Sequence, residues 1–249
     1  MPTPSCRPTP RREFLGQLTA SAIVLASSGC ASSAAGSETT TAPSPGPPST
    51  RGTARSPEHW DDSWFGRLTS KHKAVFDSPE IADGAALQHA VGYIDGMRSA
   101  LAAEFDAVQT VVVIRHAAIP MVFNDAIWEK YQVGKERKVK DESTKKWAVR
   151  NPFIGAAALA AGSARTSAST ADGPSATLTW MASHNQTLLG CGLATRGYAG
   201  IIAAQSKADP EAVYQELKAN LVPGVLLQPT GVYAVHRAQE AGCTFIRST

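Results

Sequence analysis

From about residue 69 the chain alternates short apolar runs with longer amphipathic stretches. "KHKAVFDS" and "VQTVVVIRHA" read as strands, the second a continuous apolar run of the kind found in parallel strands covered on both faces. Between them, "DGAALQHAVGYIDGMRSALAAEF" brings Leu87, Val91, Ile94 and Leu101 near one helical face, with Asp83 as the N-cap. "FNDAIWEKY" reads as a short helix. In the last third, "ATLTWMASHN" is helical and "QTLLGC" is a strand. "TRGYAGIIAAQ" and "DPEAVYQELKANL" are helices, the latter with Asp209 as N-cap and Pro210 in its first turn. "GVLLQP" is a strand, "GVYAVHRAQEAG" a helix and "CTFIRS" a strand. Five strands separated by helices predict a three-layer α/β/α domain around a mainly parallel sheet. We expect the flavodoxin-like strand order 2-1-3-4-5, with right-handed crossovers and any ligand at the carboxyl ends of the strands.

Two polar regions interrupt this rhythm. Residues 31–57 are rich in Ser, Thr, Ala, Pro and Gly, too poor in apolar surface to offset the entropy of ordering. We assign 31–68 to a disordered tether and 69–249 to the folded domain. About 180 residues suit a single core. A second polar region, about 133–176, reads as an insertion. Its "GKERKVKDESTKKW" carries six Lys/Arg and three Asp/Glu with no interleaved aromatic residues, the pattern of a solvated loop. Its "SARTSASTADGPS" is of low complexity.

The first thirty residues change the charge picture. "RREFLGQL" followed by "TASAIVLASSG" has the paired arginines and short apolar region of a twin-arginine export signal, residues 1–30. The apolar part falls short of the roughly 20 residues a membrane span needs. "ASSGC" resembles a lipobox, which would acylate Cys30. Ordinary cleavage near Ala34 or Ala35 is the other reading. We therefore expect export to the periplasm or cell envelope, with membrane attachment only through a lipid on Cys30. Removing residues 1–30 takes Lys+Arg from 24 to 21 and Asp+Glu from 21 to 20, so the net charge falls from +3 to +1. A near-neutral mature chain offers no electrostatic footprint for nucleic acid.

Candidate chemistry concentrates at "LLGCGLATRG", residues 188–197. Cys191 ends the third strand just before a helix, where open α/β sheets place their ligands. Gly190 and Gly192 would let the backbone turn and leave the sulfur approachable, which makes them candidate substrate-binding positions. A helix N-terminus stabilises a thiolate, so the position suits a nucleophile or sulfur carrier. A small buried filler is the other reading. A dinucleotide fingerprint is excluded. Thr195 stands where the third glycine should be, and no acidic residue ends a strand about 20 residues on. His116 ends the second strand at the same edge and could hold or activate a thiolate. Arg115 should alternate to the opposite side. Asn124 could cap the next helix or line the cleft. His89, His184 and His236 read as packing or surface, and no His/Cys spacing suggests zinc. No metal or cofactor is called for.

"LLGCGLATRG" followed by "ANLVPGVLLQPTGVYAVHRAQEAGCTFIRS" resembles the C-terminal half of DsrE/DsrF-like sulfur-relay proteins. The matching positions are Val222, Pro223, Gly224 and Val225, then Gly231, Val232, Gln239, Gly242, Phe245, Ile246 and Arg247. "VVVIRHAAIPMVFND" is similar to the family's second strand and its ligand-side loop. The resemblance spans 69–249 and is best from 186 on. It implies a DsrE-like fold, a persulfide on Cys191, a homo-oligomer, and a sulfur donor or acceptor protein as partner. The relay proteins are shorter and cytoplasmic, whereas this chain carries an export signal and the 133–176 insertion. The sequence thus points to an exported protein that handles sulfur through Cys191 with help from His116. A non-catalytic module binding a small ligand or metal on the same fold is the competing reading.

Two cysteines remain in the mature body, Cys191 and Cys243. In the expected strand order they lie at opposite ends of strands three and five. Strand four would part them by about 9.6 Å laterally, beyond the reach of a disulfide.

Overall fold

The computed structural model describes residues 58–155 and 173–249. Contacts divide the chain into 1–54 and 55–249, and every described residue belongs to the second unit. The export signal, Cys30 and the tether up to residue 57 lie outside the described residues, as does the 156–172 part of the insertion.

Five strands form one all-parallel sheet: β1 (His72–Ser78), β2 (Val108–Ile114), β3 (Thr187–Cys191), β4 (Val225–Gln228) and β5 (Thr244–Arg247). The helices are α1 (Ser63–Gly66), α2 (Ala85–Leu101), α3 (Asp125–Lys130), α4 (Val133–Glu136), α5 (Leu178–Ser183), α6 (Gly192–Ser206), α7 (Pro210–Ala219) and α8 (Gly231–Glu240). Among the described residues no helix is long and apolar enough to cross a membrane.

The three layers are unequal. On one face Phe76, Val112, Ile114 and Leu188 pack under α2, a 3-10 turn at His116–Val122, and α3 to α7. On the other, among the described residues, Val75, Val111, Val113 and Leu189 meet Trp64 of α1, Ala234 and Ala238 of α8, and the flanking Leu68 and Cys243. Period-two alternation along β1 to β3 sorts these residues between the faces.

The strand order is β4-β3-β2-β1-β5, which corrects the expected 2-1-3-4-5. The centre goes to β2, whose seven residues are all buried. Connections from β1 to β4 step steadily one way. Then α8 carries the chain back across the thin face, and β5 pairs with β1 instead of β4. Exposure along β5 fits an edge strand.

Three local expectations are also corrected. Helix α2 starts after Gly84 (φ 79°), because Asp83 sits at φ 55° in the preceding 3-10 turn and cannot serve as N-cap. Residues 58–68, assigned to the tether, pack on the domain. Trp64 is fully buried, Gln228 Nε2 donates to Asp61 O at 2.9 Å, and Tyr233 Oη donates to Asp62 Oδ2 at 2.7 Å. Glu58 pairs with Lys218 and Arg196 and accepts from Tyr214. Burial opposes ionisation of Glu58, but these partners win and hold its carboxyl below the usual range. The described part of the insertion is not merely a solvated loop. It forms α4 and an antiparallel bridge between Lys140 and Trp147, and Val133, Val139 and Ala148 enter the core.

Candidate functional site

Strands β3 and β4 are neighbours, yet their following helices depart to opposite faces: α6 to the thick layer and α8 to the thin one. Such a divergence opens a crevice beyond the carboxyl ends of parallel strands. A cavity of about 430 Å³ occupies that place, lined by Cys191, Arg115 and His116 together with the first turns of α6 and α8.

Cys191 is the last residue of β3 and the N-cap of α6, with extended backbone (φ −81°, ψ 111°). Its Sγ accepts from Ala194 N at 3.3 Å, and its carbonyl accepts from Thr195 Oγ1 at 3.0 Å. A sulfur thus stands where Ser, Thr or Asp usually caps a helix, facing the positive end of a fifteen-residue dipole. Only 6% of the residue is exposed.

Arg115 extends β2 by one residue, its backbone still extended (φ −142°, ψ 175°). Its Nε and Nη2 donate to Asp77 Oδ1 and Oδ2 at 2.6 and 2.8 Å. This fork, strengthened by the nearby Cys191 sulfur, raises the guanidinium's pKa against the cost of burial. The side chain crosses the start of α8, where a Cβ on Gly231 would lie 2.6 Å from Arg115 Cδ, so only glycine fits there.

His116 lines the same cavity as Cys191, as its position at the end of the second strand suggested. It lies in the left-handed region (φ 53°), a conformation that non-glycine residues adopt seldom and often at functional sites. Among the described residues no hydrogen bond joins its ring to Cys191. The backbone reversal at His116 ends the strand's alternation, so Arg115 and His116 both reach the cavity, correcting the expectation that Arg115 would point away.

The other expected site residues are placed elsewhere. Asn124 caps α3 by accepting from Ile127 N at 3.3 Å, and its Nδ2 donates to Asn220 Oδ1 at 3.0 Å. It is absent from the cavity lining. Gly190 and Gly192 border Cys191 but do not line the cavity. A Cβ on Gly190 would press within 2.7 Å of Leu227 Cδ2, and one on Gly192 within 2.6 Å of the Trp60 ring. These glycines permit close packing and do not contact the cleft.

Arg137 is a cavity residue that sequence reasoning missed, since it lies in the insertion's polar run. Its guanidinium sits 4.8 Å from the Tyr198 ring centre. Tyr198 stacks on Phe123 and donates to Glu136 Oε2 at 3.1 Å. Burial, followed by the Glu136 charge, drives the Tyr198 phenol's pKa well up and keeps it protonated. Leu193, Ile201 and Val232 complete the lining with exposed hydrocarbon.

Cys191 and Cys243 are both free thiols. In the observed order β2 and β1 stand between their strands, three spacings or about 14 Å, so the separation exceeds the one expected. Among the described residues no group of three His, Cys, Asp or Glu is arranged to hold a metal ion. Comparison with protein-family models, with curated proteins and with solved structures finds no match.

Proposed function

We propose that this chain is an exported sulfur-handling protein that carries sulfur on Cys191 as a persulfide. The observation that carries the reading is the placement of the Cys191 sulfur. It caps α6, accepts the Ala194 N–H and lines a cavity at the divergence of α6 and α8. A thiolate or persulfide anion there meets backbone N–H groups and the charge of Arg115, the setting that negative sulfur requires. His116, on the same cavity, takes the proton that the thiol gives up. The resemblance of 186–249 to DsrE/DsrF-like sulfur-relay proteins favours the same residue for the same task.

Loading needs only exchange. The Cys191 thiolate attacks the outer sulfur of a donor R–S–S⁻, forms a new S–S bond, and releases R–S⁻. Protein purified from its natural compartment without reductant provides the test. Peptide mass spectrometry should find one added sulfur atom on Cys191 and none on Cys243, together with a mature N-terminus beyond residue 29. Unmodified Cys191 that also fails to gain sulfur from a persulfide donor would reduce the cysteine to a helix cap.

A further inference from the structure

The cavity at Cys191 combines two lining arginines, Arg115 paired with Asp77 and Arg137 with Glu136, with an apolar mouth. Leu193, Ile201 and Val232 are 65%, 47% and 71% exposed, and all three line it. A lone exposed apolar residue is ordinary, but several around one opening mark a binding surface. Leu193 and Val232 hold equivalent places, each the second residue of its helix, so both helix starts present hydrocarbon. Further in, Arg115 commits Nε and Nη2 to Asp77, which leaves the rest of its five N–H donors uncommitted. Arg137 is ion-paired through Nε with Glu136 Oε2 at 2.7 Å, lies over the Tyr198 ring and lines the cavity beside Arg115. The first-turn amides of Gly231 and Val232 have no acceptor within their own helix.

We infer that this cavity binds a small amphipathic organic anion. Its apolar body lies against Leu193, Ile201 and Val232, and its charged oxygens face Arg137, Arg115 and the start of α8. The inference rests on the reading of Cys191 as the sulfur-carrying residue and names the donor class for it: an organic thiosulfonate, R–SO₂–S⁻. The Cys191 thiolate attacks the sulfane sulfur, and a new S–S bond forms. The donor's S–S bond breaks, its electron pair leaves with the sulfinate R–SO₂⁻, and Cys191–S–S⁻ remains. Charge balances, and no oxidant or reductant is consumed. Guanidinium groups suit the paired oxygens of the sulfonyl group. Thiosulfate offers the same reactive sulfur without the apolar body.

Full-length protein carrying Cys191→Ser, titrated calorimetrically, isolates binding from chemistry. Benzenesulfonate should bind at least about tenfold more tightly than sulfate or benzyl alcohol, each of which satisfies only half of the cavity. Val232→Glu and Val232→Lys remove the same exposed rim hydrocarbon and differ in charge, so the Glu variant should bind benzenesulfonate about tenfold more weakly than the Lys variant. Arg137→Gln should weaken it comparably, with melting curves to verify its fold; the Val232 pair decides the matter if that variant is unstable. Absence of benzenesulfonate binding overturns the inference. So does equal binding of benzyl alcohol, which would leave the cations without a role, or of sulfate, which would leave the rim without one. Unsubstituted protein is then given benzenethiosulfonate, with sulfur gain on Cys191 and sulfinate release as the expected result. Binding without sulfur gain would overturn the persulfide reading and the donor class but leave the anion site. Sulfur gain from thiosulfate and benzenethiosulfonate at equal rates, with no benzenesulfonate binding, would do the reverse.

Discussion

Cys191 and Cys243 are equally buried, each 6% exposed, yet they occupy opposite chemical settings. Cys191 ends a strand at the carboxyl edge, accepts a helix N–H and borders a cavity. Cys243 precedes β5 at the amino edge, packed among Trp64, Val75, Ala234 and Ala238 under the end of α8. Burial alone dominates there and pushes the Cys243 thiol up to about 11, with Lys73 offsetting only part of the effect. Exposure therefore does not distinguish the two settings. The direction of nearby N–H groups and the presence of an opening do.

Alkylation should give the largest contrast. At pH 8 a thiol pushed up to about 11 is only about one part in a thousand thiolate. Iodoacetamide should therefore modify Cys191 at least about a hundredfold faster than Cys243, read by peptide mass spectrometry. Equal, slow labelling would abolish the distinction.

Serine and alanine should then exchange their effects between the two sites. Cys243→Ser puts a hydroxyl into an apolar cluster and should cost about 1–3 kcal/mol in chemical denaturation. Cys191→Ser keeps an acceptor for Ala194 N and should be nearly neutral, whereas Cys191→Ala removes the cap and should cost about 1 kcal/mol. A serine penalty at 191 as large as that at 243 would show that the sulfur is core packing and not a cap.

The smallest effect concerns alkaline pH. Because the folded Cys243 thiol titrates near 11 against an ordinary 9.0, the unfolded chain loses its proton first. The stability it contributes is fully present below about pH 9 and is lost as pH rises through about 11, amounting to at most about 1.4 kcal/mol by pH 10. Cys243→Ala should flatten the stability profile in that window, while Cys191→Ser should leave it unchanged. An identical slope in the Cys243→Ala variant would assign the alkaline loss to other groups.

The strands were legible as apolar runs separated by helical stretches, and α7 because Asp209 and Pro210 announce its start. Cys191 was legible as the end of its strand, whereas His116, read as the end of β2, opens the 3-10 turn that follows Ile114 and Arg115. Strand order was not, since it depends on α8 crossing the thin face, and α8's own residues do not say which face it covers. Arg115 was misplaced by extending alternation one residue past the end of β2, to where His116 takes a left-handed turn. Arg137 was hidden in a run whose charges suit solvent equally well. The segment 58–68 was hidden by the composition preceding it, although Trp60, Trp64, Phe65 and Leu68 within eleven residues are a signal that a tether lacks.

The pairing of β5 with β1 also bears on how the domain assembles. It joins Ala74 to Thr244, partners from near the two ends of the domain, and Ser248 N donates to Asp77 O just beyond it. Asp77 is the acid that holds Arg115 at the cavity. Contacts so distant along the chain form slowly, because loop closure must precede any gain from them. During synthesis, β1 to β4 and their thick helical layer are available before α8 and β5 emerge. The sheet can thus be largely assembled before the start of α8 sets Gly231 against Arg115 and adds Thr230 and Val232 to the cavity lining.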